Sequence, residues 1–393
     1  MLEILAWFLV LPPAAMLAWY TAEVLCGLRP LRVPHEARED DCMIVIPAHD
    51  EEAGIADTLA ELTRIVAPDR ILVVADNCTD RTAGIARTAG VRVVERSDLA
   101  RCGKGYALAF ARDVLRAHPP ATVMVLDADC RIVHGEPARL ATRALRNGAA
   151  VQAENLQLAP DGSGPLARIG AFAFLVMNLM RSRGLARLGG GAVIQGTGWT
   201  VPWHLFDQLA LATGDPVEDI GLTMQLARRG IRVLPDAGCR VASISPGDAA
   251  HLSQRARWER GSLRAVRSGC ALLASGLLRG SRLQAAIGAH YAVPPIAFLA
   301  AAATAILLPV ALLGIAGALS PMPAMALAGA LVLALAATAA AWGVGGRGTV
   351  DPATLMRVPA YIAAKLPIYF GLARRGQHRW VRAERPPHSP PDP

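Results

Sequence analysis

Two aspartates stand one residue apart at the end of an aliphatic stretch. Asp127 and Asp129 follow residues 123–126, which read Val-Met-Val-Leu. Two carboxylates this close repel each other unless a cation lies between them. Mg²⁺ and Mn²⁺ take oxygen ligands of this kind and complete their shell with phosphate oxygens. The pair therefore predicts a divalent metal site that binds a diphosphate, although D-x-D spacing also arises by chance in many chains.

A second acidic pair opens a predicted amphipathic helix. Glu218 and Asp219 precede apolar residues at positions 220, 222 and 226. Asp219 is a candidate general base, which would take a proton from a hydroxyl as that oxygen attacks a carbon atom. Glu218 is predicted beside it in the same catalytic site. The alternative is that both acids only interact favourably with the helix dipole.

Polar residues also follow two other aliphatic runs. Pro47, His49 and Glu51 come directly after residues 43–46, and Asp76 comes shortly after 71–74. Asp76 can accept a hydrogen bond from a nucleoside base or ribose. A polar loop that caps the next helix would give much the same sequence. These four residues are candidates for ligand binding.

Lys104 is the one lysine of the charged, central part of the chain, and glycines flank it on both sides. Glycine lets the backbone approach a ligand closely, so Lys104 is predicted to contact a phosphate or a base. A lysine in a surface loop is the alternative. The spacing does not match G-x-x-x-x-G-K-[ST], and no G-x-G-x-x-G follows a strand, which excludes P-loop and dinucleotide-binding sites.

Residues 254–258 read Gln-Arg-Ala-Arg-Trp. Arg257 can pair with a diphosphate, and Trp258 can stack against the face of a sugar. The alternative is that the arginines here interact with anionic lipid.

The elements that position these residues are predicted from four short aliphatic runs, at 43–46, 71–74, 91–94 and 123–126. Helical stretches separate most of the runs, which predicts an α/β fold with a mostly parallel sheet. In such sheets ligands bind at the carboxyl ends of the strands. The candidate residues cluster at those ends.

The composition predicts separate membrane and water-soluble blocks. Of the 393 residues 53% are hydrophobic and 18% are charged. Residues 1–28 contain an apolar stretch interrupted only by Glu23, long enough for an uncleaved transmembrane anchor. A cleaved signal peptide is disfavoured because no positive charge precedes the stretch. Residues 283–346 contain no Asp, Glu, Lys or Arg and predict a transmembrane hairpin with its turn at 320–323.

Arginines flank these apolar blocks on the side of the central block, residues 29–282. The positive-inside rule then predicts that this block lies in the cytoplasm, at a bacterial inner membrane. Helices lying at the membrane surface are predicted near 166–188, 254–280 and 347–373. Buried core helices are the alternative for the first and last of these. The basic, Pro-rich tail at 374–393 is predicted to be solvated.

Charge and cysteine patterns argue against several classes of site. The net charge is +8, but the arginines lie next to apolar spans without interleaved aromatics, so no nucleic-acid binding is expected. The seven cysteines are widely spaced without a C-x-x-C pair, which argues against structural disulfides and a zinc site. No pattern predicts the oligomeric state.

Taken in order, these residues resemble the inverting family 2 glycosyltransferases of the GT-A fold. The membrane-embedded branch is the most similar, with cellulose, hyaluronan and chitin-oligosaccharide synthases and bacterial exopolysaccharide glycosyltransferases. The similarity covers about residues 42–270. Residues 45–51 resemble the family's opening strand and loop, 127–129 its D-x-D motif, 217–219 its T/E-E-D segment with valine in place of the usual threonine, and 254–258 its Q-x-x-R-W motif.

The resemblance implies a GT-A (Rossmann-like) α/β domain and a nucleotide-sugar donor, expected to be a UDP-sugar. It implies that Asp129, assisted by Asp127, holds Mg²⁺ or Mn²⁺, and that Asp219 is the base of a displacement that inverts the sugar's anomeric configuration. The implied donor-binding residues are Pro47, His49, Glu51, Asp76, Lys104, Asp127, Gln254, Arg257 and Trp258.

The implied function is sugar transfer to a polysaccharide or a lipid-linked acceptor at the cytoplasmic membrane face, in exopolysaccharide or glycan biosynthesis. Only two predicted spans follow the central block, whereas the channel-forming synthases have more. This favours the alternative of single-sugar transfer to a polyprenyl-diphosphate-linked or other lipid acceptor. A non-catalytic membrane subunit that binds nucleotide-sugars is the alternative outside the enzyme class.

Overall fold

The computed structural model describes residues 1–32, 42–160, 162–245, 248–363 and 365. In the helix that begins at residue 248, side chains are described from Trp258 onward. Gln254 and Arg257 therefore lie outside the described side chains, and the tail at 374–393 lies outside the described residues.

The strands form one sheet with the order β3-β2-β1-β4-β7-β6-β8-β5. Pairing is parallel among β1 to β4 and between β6 and β8, whereas β7 pairs antiparallel with β4 and β6, and β5 pairs antiparallel with β8. The strands are β1 (Cys42–Ala48), β2 (Ile71–Asp76), β3 (Arg92–Arg96), β4 (Thr122–Val125), β5 (Cys130–His134), β6 (Val151–Leu158), β7 (Trp199–Pro202) and β8 (Leu234–Ile244).

Helices cover both faces of the sheet and form the membrane part. They are α1 (Leu2–Gly27), α2 (Ile55–Leu62), α3 (Thr82–Thr88), α4 (Lys104–Leu115), α5 (Pro137–Asn147), α6 (Pro165–Phe174), α7 (Arg181–Arg187), α8 (Trp203–Phe206), α9 (Glu218–Arg228), α10 (Asp248–Leu278), α11 (Arg282–Ala292), α12 (Ile296–Ile315), α13 (Met322–Ala341) and α14 (Pro352–Leu355). A π-helical turn, Leu175–Met180, joins α6 to α7, and another, Trp342–Gly346, extends α13.

The predicted mostly parallel α/β sheet is confirmed, and the four aliphatic runs correspond to β1 to β4. Strand side chains alternate between the two faces. Val45 packs with Leu108 of α4 in the core on one face, and Ile44 packs with Leu59 of α2 in the core on the other. Apolar burial on both faces fixes the strand register, and with it the position of the polar residues that follow each strand.

Three helices are long and apolar enough to cross a membrane: Leu2–Gly27, Ile296–Ile315 and Met322–Gly346. The first packs against the last, where the hydroxyls of Tyr20 and Thr338 lie 2.9 Å apart. Membrane association of the chain follows from these three helices.

The predicted hairpin does not fill the whole uncharged block 283–346, and its predicted start at residue 283 is wrong. Its first residues belong to α11, which packs along α10 so closely that a Cβ on Gly288 would lie 2.2 Å from the amide nitrogen of Leu273. The 11 residues of α11 reach only about half the hydrocarbon thickness. The spanning part begins after Pro294 and Pro295, at Ile296.

The stretch predicted as a surface helix near 166–188 is largely buried. It runs from α6 through the π-helical turn into α7 and lies against α1. A Cβ on Gly184 would lie only 1.8 Å from the carbonyl oxygen of Glu23. Such close packing is typical of a buried core helix, which is the alternative interpretation given above for this stretch. The surface helix predicted near 254–280 corresponds to part of α10. In the stretch predicted as a surface helix at 347–373, the structure has α14 and a further helical segment at 358–363.

Candidate active site

The two aspartates of the D-x-D motif lie just past the carboxyl end of β4. The amide of Asp127 donates to the Thr197 hydroxyl at 3.0 Å. Carboxylate oxygens of Asp127 and Asp129 lie within 4.8 Å of each other and of the Cys130 sulfur. Burial, reinforced by Asp129, raises the pKa of the Cys130 thiol. The two carboxylates supply the oxygen ligands that suit Mg²⁺ or Mn²⁺.

Lys104 joins the D-x-D motif to the acidic pair at the start of α9. Its ammonium forms an ion pair with Asp127, donates to the carbonyl oxygen of Gly196 at 2.8 Å and lies 3.6 Å from a carboxylate oxygen of Glu218. Burial alone would lower the pKa of Lys104, but Asp127 and Glu218 outweigh it and raise that pKa. The charged form of Lys104 is therefore favoured at neutral pH.

Asp219 has the electrostatic environment of a base that works near neutral pH. Burial, together with the neighbouring Glu218 carboxylate, raises the pKa of Asp219 to about 7. Burial also raises the pKa of Glu218, although Lys104 opposes that shift. One Asp219 oxygen accepts from the Ile220 amide at 2.9 Å, which orients the carboxylate at the start of the helix.

The other face of the site is built by the loops after β1 and β2. The Asp76 side chain is buried, and its Oδ1 accepts from Arg96 at 2.6 Å and from Asn77 at 3.1 Å. An imidazole nitrogen of His49 lies 2.7 Å from the Asp76 carbonyl oxygen. The Glu51 amide donates to the Thr82 hydroxyl at 2.7 Å. These bonds fix the two loops against each other beside Pro47.

Trp258 contributes an aromatic face from α10. Its ring centroid lies 6.0 Å from that of Phe174 in α6. The next residue, Glu259, forms a buried ion pair at 2.5 Å with Lys365. This pair holds the end of the described chain against α10.

One cavity of about 1220 Å³ contains ten of the twelve residues predicted from the sequence. Gln254 and Arg257 are the two that lie outside the described side chains. The ten are Pro47, His49, Glu51, Asp76, Lys104, Asp127, Asp129, Glu218, Asp219 and Trp258. Residues from six separate segments of the sequence thus line one space.

The same cavity continues into the membrane part of the molecule. There its lining includes residues of α12, α13 and the last described turns: Ala300, Thr304, Leu331, Val332, Leu335, Thr338, Ala339, Leu355, Val358, Tyr361, Ile362 and Lys365. Most of these side chains are apolar, the exceptions being two threonine hydroxyls, the Tyr361 hydroxyl and Lys365, which pairs with Glu259. The candidate active-site carboxylates and an apolar space between α12 and α13 therefore belong to one continuous cavity.

Sequence reasoning missed a cluster at the junction between the two parts. Glu23 of α1 is fully buried, and its oxygens lie 2.6 Å from Arg181 Nε and 2.8 Å from the His290 imidazole. Arg181, His290 and Tyr291 line the cavity. The sequence signal for this cluster is the charged residue Glu23 inside an apolar stretch. Its partners Arg181 and His290 lie 158 and 267 residues away, and the sequence does not indicate them.

Comparison with known proteins agrees with this geometry. Residues 40–261, more than half of the chain, match the family described as "Glycosyltransferase like family 2". A dolichyl-phosphate hexose transferase of Haloferax volcanii is 34% identical over 91 residues, which are 23% of this chain and 36% of that protein. The match thus spans little more than a third of the relative's length.

A solved structure has the same fold over nearly the whole chain. It is a mannosyltransferase from Pyrobaculum calidifontis in complex with GDP-mannose and Mn²⁺. It is 17% identical, has a TM-score of 0.50 and covers 95% of each chain. The specific likeness to cellulose, hyaluronan and chitin-oligosaccharide synthases is not supported by these matches, whereas the GT-A fold is. The chain belongs to the family 2-like glycosyltransferases, and it is a glycosyltransferase with a GT-A fold and three helices fit to cross a membrane.

Proposed function

We propose that this chain transfers one sugar from a nucleotide-sugar to a lipid-linked acceptor at the cytoplasmic face of a bacterial inner membrane. The main support for this proposal is that one cavity extends from Asp219 and Asp129 to Thr304 and Leu335 in the membrane helices. An acceptor held by its hydrocarbon part in that space would present its polar end to the carboxylates. The arginines beside the spans support the cytoplasmic orientation.

The proposed reaction is a single displacement at the anomeric carbon. Asp219 takes the proton of the attacking acceptor group, and its position at the start of α9, fixed by the Ile220 amide, keeps the carboxylate oriented. The opposite face of the sugar carries the departing diphosphate. An α-linked donor then gives a β-linked product.

The diphosphate end of the pocket lies at Asp127, Asp129 and Lys104. Asp129, assisted by Asp127, would hold the divalent cation, which when bound stabilises negative charge on the leaving diphosphate. Lys104 keeps Asp127 in position through their ion pair. Mn²⁺ in the mannosyltransferase of the same fold supports a divalent cation in this role.

The donor is proposed to be a UDP-sugar bound by the loops that carry Asp76, His49 and Glu51. The buried Asp76 carboxylate, fixed by Arg96, suits recognition of a base or ribose. GDP-sugars belong in the same test, because the mannosyltransferase of the same fold is in complex with GDP-mannose.

The test is a donor screen with the detergent-purified chain. UDP- and GDP-sugars labelled in the sugar are supplied with Mg²⁺ or Mn²⁺ and a membrane lipid extract. We expect metal-dependent release of nucleoside diphosphate and label in the organic-solvent-soluble fraction. Label in a long water-soluble polymer would show polysaccharide extension instead. If none of the donors released nucleoside diphosphate, the proposal would be contradicted.

A further inference from the structure

Three residues that line the cavity carry buried polar atoms without a hydrogen-bond partner. The atoms are Oδ1 of Asn155 in β6, Oε1 of Gln195 in the segment before β7, and the hydroxyl of Tyr291 in α11. Among the residues that the structure describes, none forms a hydrogen bond with these atoms. Leaving a buried polar group without a partner is unfavourable, so three such groups in one wall indicate a ligand that completes their hydrogen bonds.

The orientation of the two amides leaves their oxygen atoms free. Asn155 Nδ2 donates to the carbonyl oxygen of Gln195 at 3.2 Å, and Gln195 Nε2 donates to the carbonyl oxygen of Asn178 at 2.7 Å. Turning either amide over would place its oxygen against a carbonyl oxygen, so these two bonds assign the orientation. An amide oxygen only accepts hydrogen bonds. The missing partners are therefore donors, such as hydroxyl groups.

The three groups lie beside the proposed base. Gln195 precedes Gly196, where an added Cβ would lie 3.9 Å from Asp219 Oδ2, and Asn155 is bonded to Gln195. Tyr291 belongs to α11, which packs against α9. Burial and the charge of Asp219 raise the pKa of Tyr291, so its hydroxyl lies within electrostatic range of that carboxylate and keeps its proton. A ligand on these groups therefore lies where a proton passes to Asp219.

The cavity wall continues from Tyr291 into the membrane part. Pro294, Pro295, Ala300 and Thr304, which follow Tyr291 along the chain, all line the cavity. Residues of α13 complete this apolar branch, where Val332 and Leu335 line the cavity and are 64% and 71% exposed. A lipid can thus enter from the bilayer between α12 and α13, with its polar end near Tyr291. This position favours the acceptor, rather than the donor, as the ligand of the three groups.

A sugar supplies several hydroxyl groups close together, as this wall requires. A bare lipid alcohol has one hydroxyl, and the displacement uses that oxygen as the nucleophile. Phosphate oxygens act mainly as acceptors, so they do not complete the two amide oxygens of Asn155 and Gln195. A phosphate or diphosphate that links such a sugar to its lipid is compatible with the same wall.

We infer that Asn155, Gln195 and Tyr291 bind hydroxyl groups of a sugar that the acceptor lipid already carries. This rests on the proposed function and names the acceptor's chemical class, a lipid-linked sugar. Another hydroxyl of that sugar is the nucleophile: its oxygen bonds to the donor's anomeric carbon, and its proton passes to Asp219. The bond from that carbon to the diphosphate oxygen breaks, and its electron pair leaves with the nucleoside diphosphate. The product contains a new bond between two sugars.

The first test determines where the transferred sugar is attached. The full chain, purified in a detergent without a sugar headgroup, is supplied with sugar-labelled donor, Mn²⁺ and a membrane lipid extract. The labelled lipid is then fragmented by tandem mass spectrometry. We expect the labelled sugar to be bonded to a second, unlabelled sugar. Labelled sugar bonded directly to the lipid or to its phosphate would overturn the inference.

Two variants and a matched control test the proposed binding groups. Tyr291→Phe removes one oxygen, and Asn155→Leu removes the amide with little change in size. Gln157→Leu is the control, because Gln157 lies in the same strand and has a buried oxygen without a partner, but does not line the cavity. Relative to the control, we expect each variant to raise the apparent KM for the lipid extract about two- to tenfold, the effect of one lost hydrogen bond. The KM for the donor should stay unchanged.

The split between the two KM values separates binding of the acceptor's sugar from other roles. A raised KM for the donor alone would mean that the groups bind the donor's sugar, which overturns the inference. KM values equal to those of Gln157→Leu would mean that only ordered water completes these groups, which also overturns it. Thermal unfolding in detergent checks the fold of each variant. Tyr291→Phe provides the test if Asn155→Leu does not fold.

Failure of this inference can be told apart from failure of the proposed function. Release of nucleoside diphosphate into water, measured in the same samples without lipid, reports on donor cleavage alone. If the donor is cleaved and its sugar is transferred directly to lipid, the acceptor class is wrong and the proposed enzyme class stands. If no donor is bound or cleaved, both proposals fail.

Discussion

The ammonium of Lys104 lies 3.6 Å from the carboxylate of Glu218. The same ammonium pairs with Asp127, so a single side chain connects the end of β4 with the start of α9. This joins the proposed metal-binding aspartates to the proposed base Asp219. Lys104 therefore links the proposed diphosphate end of the site to the proposed base through its two carboxylate partners.

Replacing Lys104 is expected to damage catalysis in two ways. Lys104→Met removes the partner of Asp127, and we expect transfer to fall about 100-fold, in the range seen when one stabilising donor is removed from an active site. Because Lys104 also lowers the pKa of Asp219, the pH profile of the residual activity should move to higher pH. The measurements are kcat/KM and its pH dependence.

Lys104→Arg is the matched control because it keeps the positive charge. It should recover part of the rate and restore the position of the pH profile. If Lys104→Met left the pH profile in place, the electrostatic link from Lys104 to Asp219 would be refuted.

Removal of the metal should abolish transfer. We expect chelation to stop the reaction and Mn²⁺ or Mg²⁺ to restore it. Asp129→Asn should weaken the apparent metal affinity at least about tenfold, the smaller loss typical for groups that support metal ligands. Asp113→Asn, an exposed aspartate of α4 outside the cavity, is the control. Unchanged metal dependence in Asp129→Asn would exclude Asp129 as a ligand.

The rate should rise with pH through neutrality. Since the pKa of Asp219 is raised to about 7, Asp219 is increasingly protonated below that value and cannot accept a proton. The expected profile of kcat/KM climbs about tenfold per pH unit on the acidic side and levels off above about pH 7. A flat profile across this range would mean that a different group is the base.

A buried charge cluster at the far side of the sheet should dominate stability. Asp236 is fully buried between Arg139 and Arg143, at 2.9 and 2.7 Å. Its arginine partners more than offset burial and lower the pKa of Asp236. Its ionised form therefore stabilises the fold above the ordinary aspartate pKa of about 3.9, and this stabilisation is lost as pH falls toward the lowered pKa of the folded protein.

Asp236→Asn is accordingly expected to reduce the free energy of unfolding by about 3 to 5 kcal/mol at neutral pH, the range for breaking a buried ion pair. Urea or thermal unfolding in detergent measures the change. Asp113→Asn, on an exposed side chain, should change it by no more than about 0.5 kcal/mol. Similar losses in both variants would show that the cluster has no special role.

The parallel half of the sheet could be predicted because β1, β2 and β4 are short aliphatic runs buried on both faces, such as Ile71–Asp76. The other half of the sheet, formed by β5 to β8, could not be predicted from the sequence. The strand Val151–Leu158 carries buried polar residues, including Gln152 and Glu154, whose partners come from distant segments. Periodicity in the sequence holds no information about such partners.

The polar end of the site was accessible from the sequence, whereas its membrane end was not. Asp127, Asp129 and Asp219 each follow or begin a regular element, so their convergence follows from the fold class. The buried group Glu23, Arg181 and His290 forms only when α1 packs against α7 and α11. The apolar branch likewise depends on how α12 and α13 separate, which their uniform composition does not specify.

The most direct test of the account is sugar transfer by Asp219→Asn under conditions where the variant binds donor normally. Donor binding is measured by titration with Mn²⁺ present, and transfer by the label in extracted lipid. We predict unchanged donor affinity, a loss of transfer of at least about 100-fold, and residual product with the anomeric configuration inverted. Full transfer by Asp219→Asn would contradict the account.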